Sequence, residues 1–199
     1  MPNTYIDLLR HGQVQTPGLF CAPSPEPLSA LGWQQLEHAT RHCRPDWLVS
    51  SPSVRCHTFA ETFSLQHAIP LQVEPRLQEM NFGQWVGRQA SELWQTEQAQ
   101  MECLWNQPLD FTAPAGEAMP TFIQRVQSAW ADLLQQHAGQ RLLVLTHAGV
   151  IRVLLAQTLG IPYPQTLRFE LAYAHFVRIT VYADGTSSVY GLGLEQLPC

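Results

Sequence analysis

The chain has 199 residues, a formal net charge of −5, and arginine as its only permanently cationic residue type, for it contains no lysine. Schiff-base lysine chemistry and the P-loop lysine are therefore excluded, and without a basic block nucleic acid and anionic membrane surfaces are excluded as main partners. The length suits one domain, residues 1–199, able to bury a substantial core.

Thr4 to Leu9 reads as a buried strand, followed directly by Arg10, His11 and Gly12. Arginine offers a planar fork of donors, histidine a nitrogen nucleophile, and glycine room for close backbone approach, so a phosphate fits there. Alone, such a trio is usually an ordinary surface turn. From Gln13 to Leu28 four prolines predict an irregular loop over a site. Ser29 is then placed to cap a helix carrying Leu31, Leu36 and Ala39, which ends before Pro45.

Trp47 to Ser50 is a short apolar strand, and Ser51-Pro52 has the composition of a helix start. Arg55 falls in that helix's first turn, where free N–H groups and the dipole also favour an anion; a solvated surface position is the alternative. Leu71 to Val73 predicts another strand. After it, Arg76 to Gly87 is irregular, with Glu79 among large apolar side chains in a setting suited to a general acid, or else exposed before a turn. Gln89 to Trp105 predicts one helix, broken by Pro108 and Pro114, and residues 89–116 form a covering insertion. Met119 to His137 predicts a long helix with Phe122, Val126, Trp130 and Leu133 on its buried face.

Arg141 to Thr146 is a strongly apolar strand that runs into His147, Ala148 and Gly149, and Val150 to Leu159 then predicts a helix. The arrangement at His11 is repeated there. Ala174–Tyr182 and Thr186–Leu192 flank Asp184-Gly185, a hairpin signal, and so predict a closing antiparallel pair. The pattern as a whole is α/β, with an antiparallel strand pair finishing the sheet near the C-terminus.

Three strand-to-helix junctions carry Arg10 with His11, Arg55, and His147, and such junctions open on one crevice in open α/β sheets. Two arginines, two histidines and a carboxylate suit phosphoryl transfer through nitrogen. No paired acidic ligands accompany the histidines, so no metal is expected. Cys21, Cys43, Cys56, Cys103 and Cys199 are scattered, without a CxxC pair, and fit reduced thiols. The N-terminus lacks a basic region followed by an apolar core, so a cytoplasmic protein is expected.

Leu9-Arg10-His11-Gly12, Ser50-Ser51-Pro52 with Arg55, Glu79 before Phe82-Gly83-Gln84-Trp85, Gly116-Glu117 and Thr146-His147-Ala148-Gly149 together resemble the histidine phosphatase superfamily, which includes phosphoglycerate mutases. Within it, Leu77 to Trp85 and Pro27-Leu28-Ser29 with Gly32 look most like alpha-ribazole phosphatases, which remove the 5′-phosphate from a precursor of the cobalamin lower ligand. Val86 stands where many relatives have glutamate, and Thr16 where mutases often have asparagine. Both departures bear on the substrate more than on the reaction.

The resemblance implies His11 as nucleophile, Arg10 and Arg55 on the phosphoryl oxygens, His147 stabilising the transferring group and Glu79 protonating the leaving oxygen. It implies a three-layer α/β/α sandwich with a mostly parallel central sheet, no cofactor, and a phosphorylated small molecule as partner; a homodimer is left open. Phe20, Trp85 and Trp105 are candidate stacking surfaces for an aromatic leaving group, although core packing is the commoner role for any one of them. Mutase action, broad small-molecule phosphatase action and an idle phosphate-binding protein are the alternatives. The presence of both His11 and Glu79 speaks against the last.

Overall fold

A computed structural model describes residues 2–23 and 25–194. Its strands are β1 (Thr4–Arg10), β2 (Trp47–Ser50), β3 (Leu71–Val73), β4 (Arg141–Thr146), β5 (Phe176–Val181) and β6 (Ser187–Leu194). They form one sheet in the order β3-β2-β4-β1-β5-β6. The first four are mutually parallel, whereas β5 runs antiparallel to both β1 and β6. The closing hairpin turns at Asp184-Gly185, where Gly185 takes φ +84° and Asp184 Oδ1 accepts from the Thr186 N–H.

Helices cover both faces, as strand alternation requires when each face is apolar. On β4, Leu142 and Val144 pack into one buried cluster and Leu143 and Leu145 into the other; on β2, Val49 and Leu48 divide in the same way. The second cluster contains α1 (Ala30–Thr40) and α2 (Val54–His67). The first contains α3 (Ala90–Thr96), α4 (Gln98–Asn106), α5 (Met119–Gln136), α6 (Ala148–Leu159) and α7 (Tyr163–Thr166). The stripe expected on α5 is buried, and each large apolar side chain there contributes about 1.5–3 kcal/mol before ordering entropy is set against it. No helix among the described residues is long and apolar enough to cross a membrane.

Inside the sheet, β1 and β5 are tied by a two-pronged ion pair. Arg178 Nε donates to Asp7 Oδ1 at 2.6 Å and Nη2 to Oδ2 at 3.0 Å, between residues directly opposite in register. Asp7 is buried, and its carboxylate raises the pKa of Arg178.

Two expectations about helices are corrected. Residues 89–105 form α3 and α4, not one helix: the chain breaks at Glu97 (φ −138°), whose carboxylate is drawn to the Trp85 indole N–H and to Arg88. The helix after β2 begins at Val54, with Ser53 at its cap. Ser51 lies outside it, its hydroxyl accepting from the Ser53 N–H at 3.3 Å and from His147, as described below. The short helix α7 was not expected. The cap at Ser29 is as predicted, its side chain accepting from the Gly32 N–H. Among the described residues Cys43, Cys56 and Cys103 are free thiols; Cys199 lies outside them. Burial pushes Cys43 and Cys56 up to about 12, so neither is a ready thiolate.

Candidate active site

Strand register brings the two histidines together. Arg10 of β1 lies opposite Thr146 of β4, so His11 and His147, each one residue further on, emerge side by side at the carboxyl ends of the strands. Their ring centroids are 5.3 Å apart, and the His11 N–H donates to the Thr146 carbonyl at 2.9 Å. Behind them α1 packs closely on the loop, because a Cβ at Gly12 would lie 2.1 Å from the Gly32 carbonyl oxygen.

His11 Nδ1 lies 2.8 Å from the Gly12 carbonyl oxygen. A carbonyl can only accept, so Nδ1 carries the proton and Nε2 keeps its lone pair. Burial, then Arg55 and Arg10, hold the imidazole's pKa well below its ordinary value, while the Gly12 bond opposes them. The neutral, nucleophilic form is thereby favoured.

His147 is completely buried at the cap of α6. Arg55 Nη2 donates to its Nδ1 at 3.2 Å, which leaves Nε2 as the protonated nitrogen, donating to Ser51 Oγ at 2.8 Å. Burial, Arg55 and then His11 lower its pKa well below the ordinary value. Arg55 is anchored by donating from Nη1 to the Cys21 carbonyl, and Arg10 by donating from Nη1 to that of Leu171. Arg10 also stacks its guanidinium 4.1 Å from the Tyr173 ring centroid. The Nε atoms of both arginines are buried and have no acceptor among the described residues. Unpaired buried donors are costly, and anionic oxygens would satisfy them.

Glu79 approaches from the other side, held through its backbone. Thr146 Oγ1 donates to the Leu77 carbonyl at 2.9 Å. Arg125 donates from Nη1 to the carbonyls of Arg76 (2.7 Å) and Gln78 (2.6 Å), and from Nη2 to that of Glu79 (3.1 Å). The Arg125 guanidinium is itself braced by Glu117 at 2.7 Å. The Glu79 carboxylate accepts from the Gly149 N–H at 3.1 Å and the Met80 N–H at 3.2 Å. It borders two cavities, one of about 390 Å³ that reaches Gln78 and Arg125, the other of about 140 Å³ walled by Phe82, Trp105 and Arg152.

The sequence-predicted set Arg10, His11, Arg55, Glu79 and His147 thus gathers around one crevice. The aromatic candidates separate. Trp105, on α4 and 47% exposed, lines the narrower cavity beside Glu79. Trp85 is fully buried against Phe20 and Phe111, so it presents no face to a ligand; its expected stacking role is corrected to core packing. Phe20 packs edge-on against Phe82 at 4.6 Å between centroids, and it is Phe82 that reaches the cavity. Ser51, Arg125, Arg152 and Tyr173 were not anticipated as site residues. Among the described residues no three His, Cys, Asp or Glu side chains are grouped to hold a metal ion.

The fold and the paired histidine junctions define an α/β enzyme of the phosphatase and phosphomutase kind. Residues 6–190 match the histidine phosphatase superfamily (branch 1), and the chain belongs to it. It is 33% identical over 170 residues to the adenosylcobalamin/alpha-ribazole phosphatase of Escherichia coli (strain K12), covering 82% of this chain and 83% of that one. The crystal structure of the alpha-ribazole phosphatase from Shigella flexneri superimposes with a TM-score of 0.84 at 26% identity, covering 98% of each chain. A relative named as a probable phosphoglycerate mutase, GpmB of Enterobacter sp. (strain 638), is 28% identical over 87% of this chain and 83% of its own.

Proposed function

We propose that the chain hydrolyses phosphomonoesters through a phosphohistidine at His11, and that alpha-ribazole 5′-phosphate is its preferred substrate. One observation carries the mechanism: the bond from His11 Nδ1 to the Gly12 carbonyl leaves Nε2 as an unprotonated nucleophile, on an imidazole that the charges of Arg55 and Arg10 help to keep neutral. Nε2 attacks phosphorus, the ester P–O bond breaks, and the Glu79 carboxylic acid gives its proton to the departing oxygen. Water then attacks phosphorus while Glu79 takes its proton, the P–N bond breaks, and phosphate leaves.

Arg10 and Arg55 bind the equatorial oxygens, where charge spreads in the transition state. His147 joins them by exchanging its Nδ1 bond with Arg55 for a phosphoryl oxygen. To donate there Nδ1 must gain a proton, which the dianionic group favours by offsetting the arginine charges. The substrate reading is supported by the two alpha-ribazole phosphatase relatives and by the aromatic cavity that adjoins Glu79. We read residues 1–199 as one domain acting in the cytoplasm, with 89–116 covering the site. The mutase relative supports a second reading, transfer to a sugar-acid hydroxyl in place of water.

Rapid acid quench with labelled substrate tests the mechanism. The wild type should carry an acid-labile, base-stable phosphate that is absent from His11→Ala; equal labelling of both would remove His11 from this role. Comparison of alpha-ribazole 5′-phosphate with 3-phosphoglycerate tests the substrate, and equal kcat/KM or a predominant mutase product would reject it.

A further inference from the structure

Among the described residues, the two site arginines are held in different ways. Arg55 spends two donors on polar groups, the Cys21 carbonyl and His147 Nδ1. Arg10 spends one, from Nη1 to the Leu171 carbonyl, and its guanidinium carbon lies 4.1 Å from the centroid of the Tyr173 ring. That ring also stands 5.6 Å from the His11 ring, tilted by 48°. All three contacts come from one strap, residues 171–175, between α7 and β5.

The place of the strap follows from the sheet. β1 and β5 pair antiparallel with Leu9 opposite Phe176, and the pairing runs on past both strand ends: the Arg10 N–H donates to the His175 carbonyl at 3.2 Å, and the Ala174 N–H to the His11 carbonyl at 3.1 Å. Ala174 takes φ +55°, a left-handed conformation that a residue with a Cβ keeps only where its surroundings impose it. Tyr173 itself belongs to neither buried apolar cluster; it borders an open groove with Leu31 and Gln34 of α1. Its ring is therefore not there to fill the core.

The use of a ring at this point lies in what it leaves alone. A carboxylate beside Arg10 would occupy donors and cancel the charge that a phosphoryl group needs. An aromatic face attracts the cation through its quadrupole and takes no N–H. Because the donors of a guanidinium lie in one plane, a ring against its face and a carbonyl at one corner determine where the rest of the fork points.

We propose that Tyr173 is a positioning residue for phosphoryl binding, setting the plane of Arg10 through its ring and not through its hydroxyl. The assignment rests on the phosphomonoesterase reading and adds to it a residue that acts on the substrate only through Arg10.

Inorganic phosphate is the probe, titrated by calorimetry. Tyr173→Leu should weaken its binding by about 10-fold, as loss of a partly desolvated cation–π contact requires, and Tyr173→Met should do the same; Tyr173→Phe, which keeps the face, should stay within about 2-fold of the wild type. In kinetics Tyr173→Leu should lower kcat/KM by one common factor of about 10 for p-nitrophenyl phosphate and for an alkyl phosphate, since Arg10 meets the phosphoryl group and not the leaving group. The same substitution should cost nothing further in an Arg10→Ala background and its full factor in an Arg55→Ala background. Unchanged phosphate binding in the Leu and Met variants, an equal loss in Tyr173→Phe, or a full loss that persists without Arg10 overturns the proposal. If the wild type hydrolyses no ester and forms no phosphohistidine, the phosphatase reading fails, and the calorimetric series still decides Tyr173; a wild type that binds no phosphate overturns both.

Discussion

Gly149 donates its backbone N–H to Glu79 Oε2 at 3.1 Å, and a Cβ at position 149 would stand 2.2 Å from Oε1 of the same carboxylate. Glycine is needed there for space, because the first turn of α6 and the carboxylate share one gap. Gly149→Ala should push the carboxylate aside and lower kcat/KM for alkyl phosphates by roughly 10²-fold, the scale of a misplacement of about 1 Å. Steady-state kinetics beside a thermal melt would check it; a variant with full activity would mean that Glu79 tolerates displacement.

Glu79→Gln keeps the shape of the side chain and removes its exchangeable proton. Turnover of alkyl phosphates should slow by roughly 10²- to 10⁴-fold. With p-nitrophenyl phosphate, whose leaving oxygen needs little protonation, the loss should be much smaller. Equal losses on the two substrates would assign Glu79 to binding or to structure.

Acid should destabilise the fold through the two site histidines. Burial first, then Arg55, holds both well below the ordinary value of 6.5. As the pH falls below that value, the unfolded chain gains protons that the folded chain does not. Stability present above about 6.5 is therefore lost on the way down to the folded-state values, by about 1.4 kcal/mol per pH unit for each histidine. Urea unfolding across this range should show the decline, and His147→Asn should remove about half of the part due to these two groups. A flat profile would mean that both protonate freely in the folded state.

The Asp7–Arg178 pair should respond asymmetrically. Asp7→Ala leaves a guanidinium facing a sheet interior and should cost about 3–5 kcal/mol, whereas replacing both residues by apolar ones of similar volume should cost far less. Denaturant midpoints of the single and double variants would measure this. Additive losses would argue that the two residues act independently.

The fold was legible where local pattern and tertiary demand agree. Each parallel strand is an apolar run, and the two runs that end in Arg10-His11 and Thr146-His147 marked the crevice because strand ends in such sheets share one side. Legibility failed where a partner distant in sequence overrode a local signal. Ser51 followed by Pro52 has the composition of a cap, yet the helix starts only at Val54, and the Ser51 hydroxyl also serves His147, 96 residues away. Trp85 looked like a stacking surface because size and polarity are local properties; its complete burial follows from Phe20 and Phe111, which the sequence does not bring near. Arg125 left no trace, since its partners are carbonyl oxygens 46–49 residues away, an atom every residue possesses.

That universality of the carbonyl gives the Arg125 clamp a further property. Whatever side chains occupy positions 76 and 78, the oxygens it grips are still there, so the placement of Glu79 is insulated from the spelling of its own loop. Gln78 faces the wider cavity and is free to drift. A change at position 78 would alter the wall of the wider cavity one residue from Glu79 while the backbone grip on Glu79 stays in place.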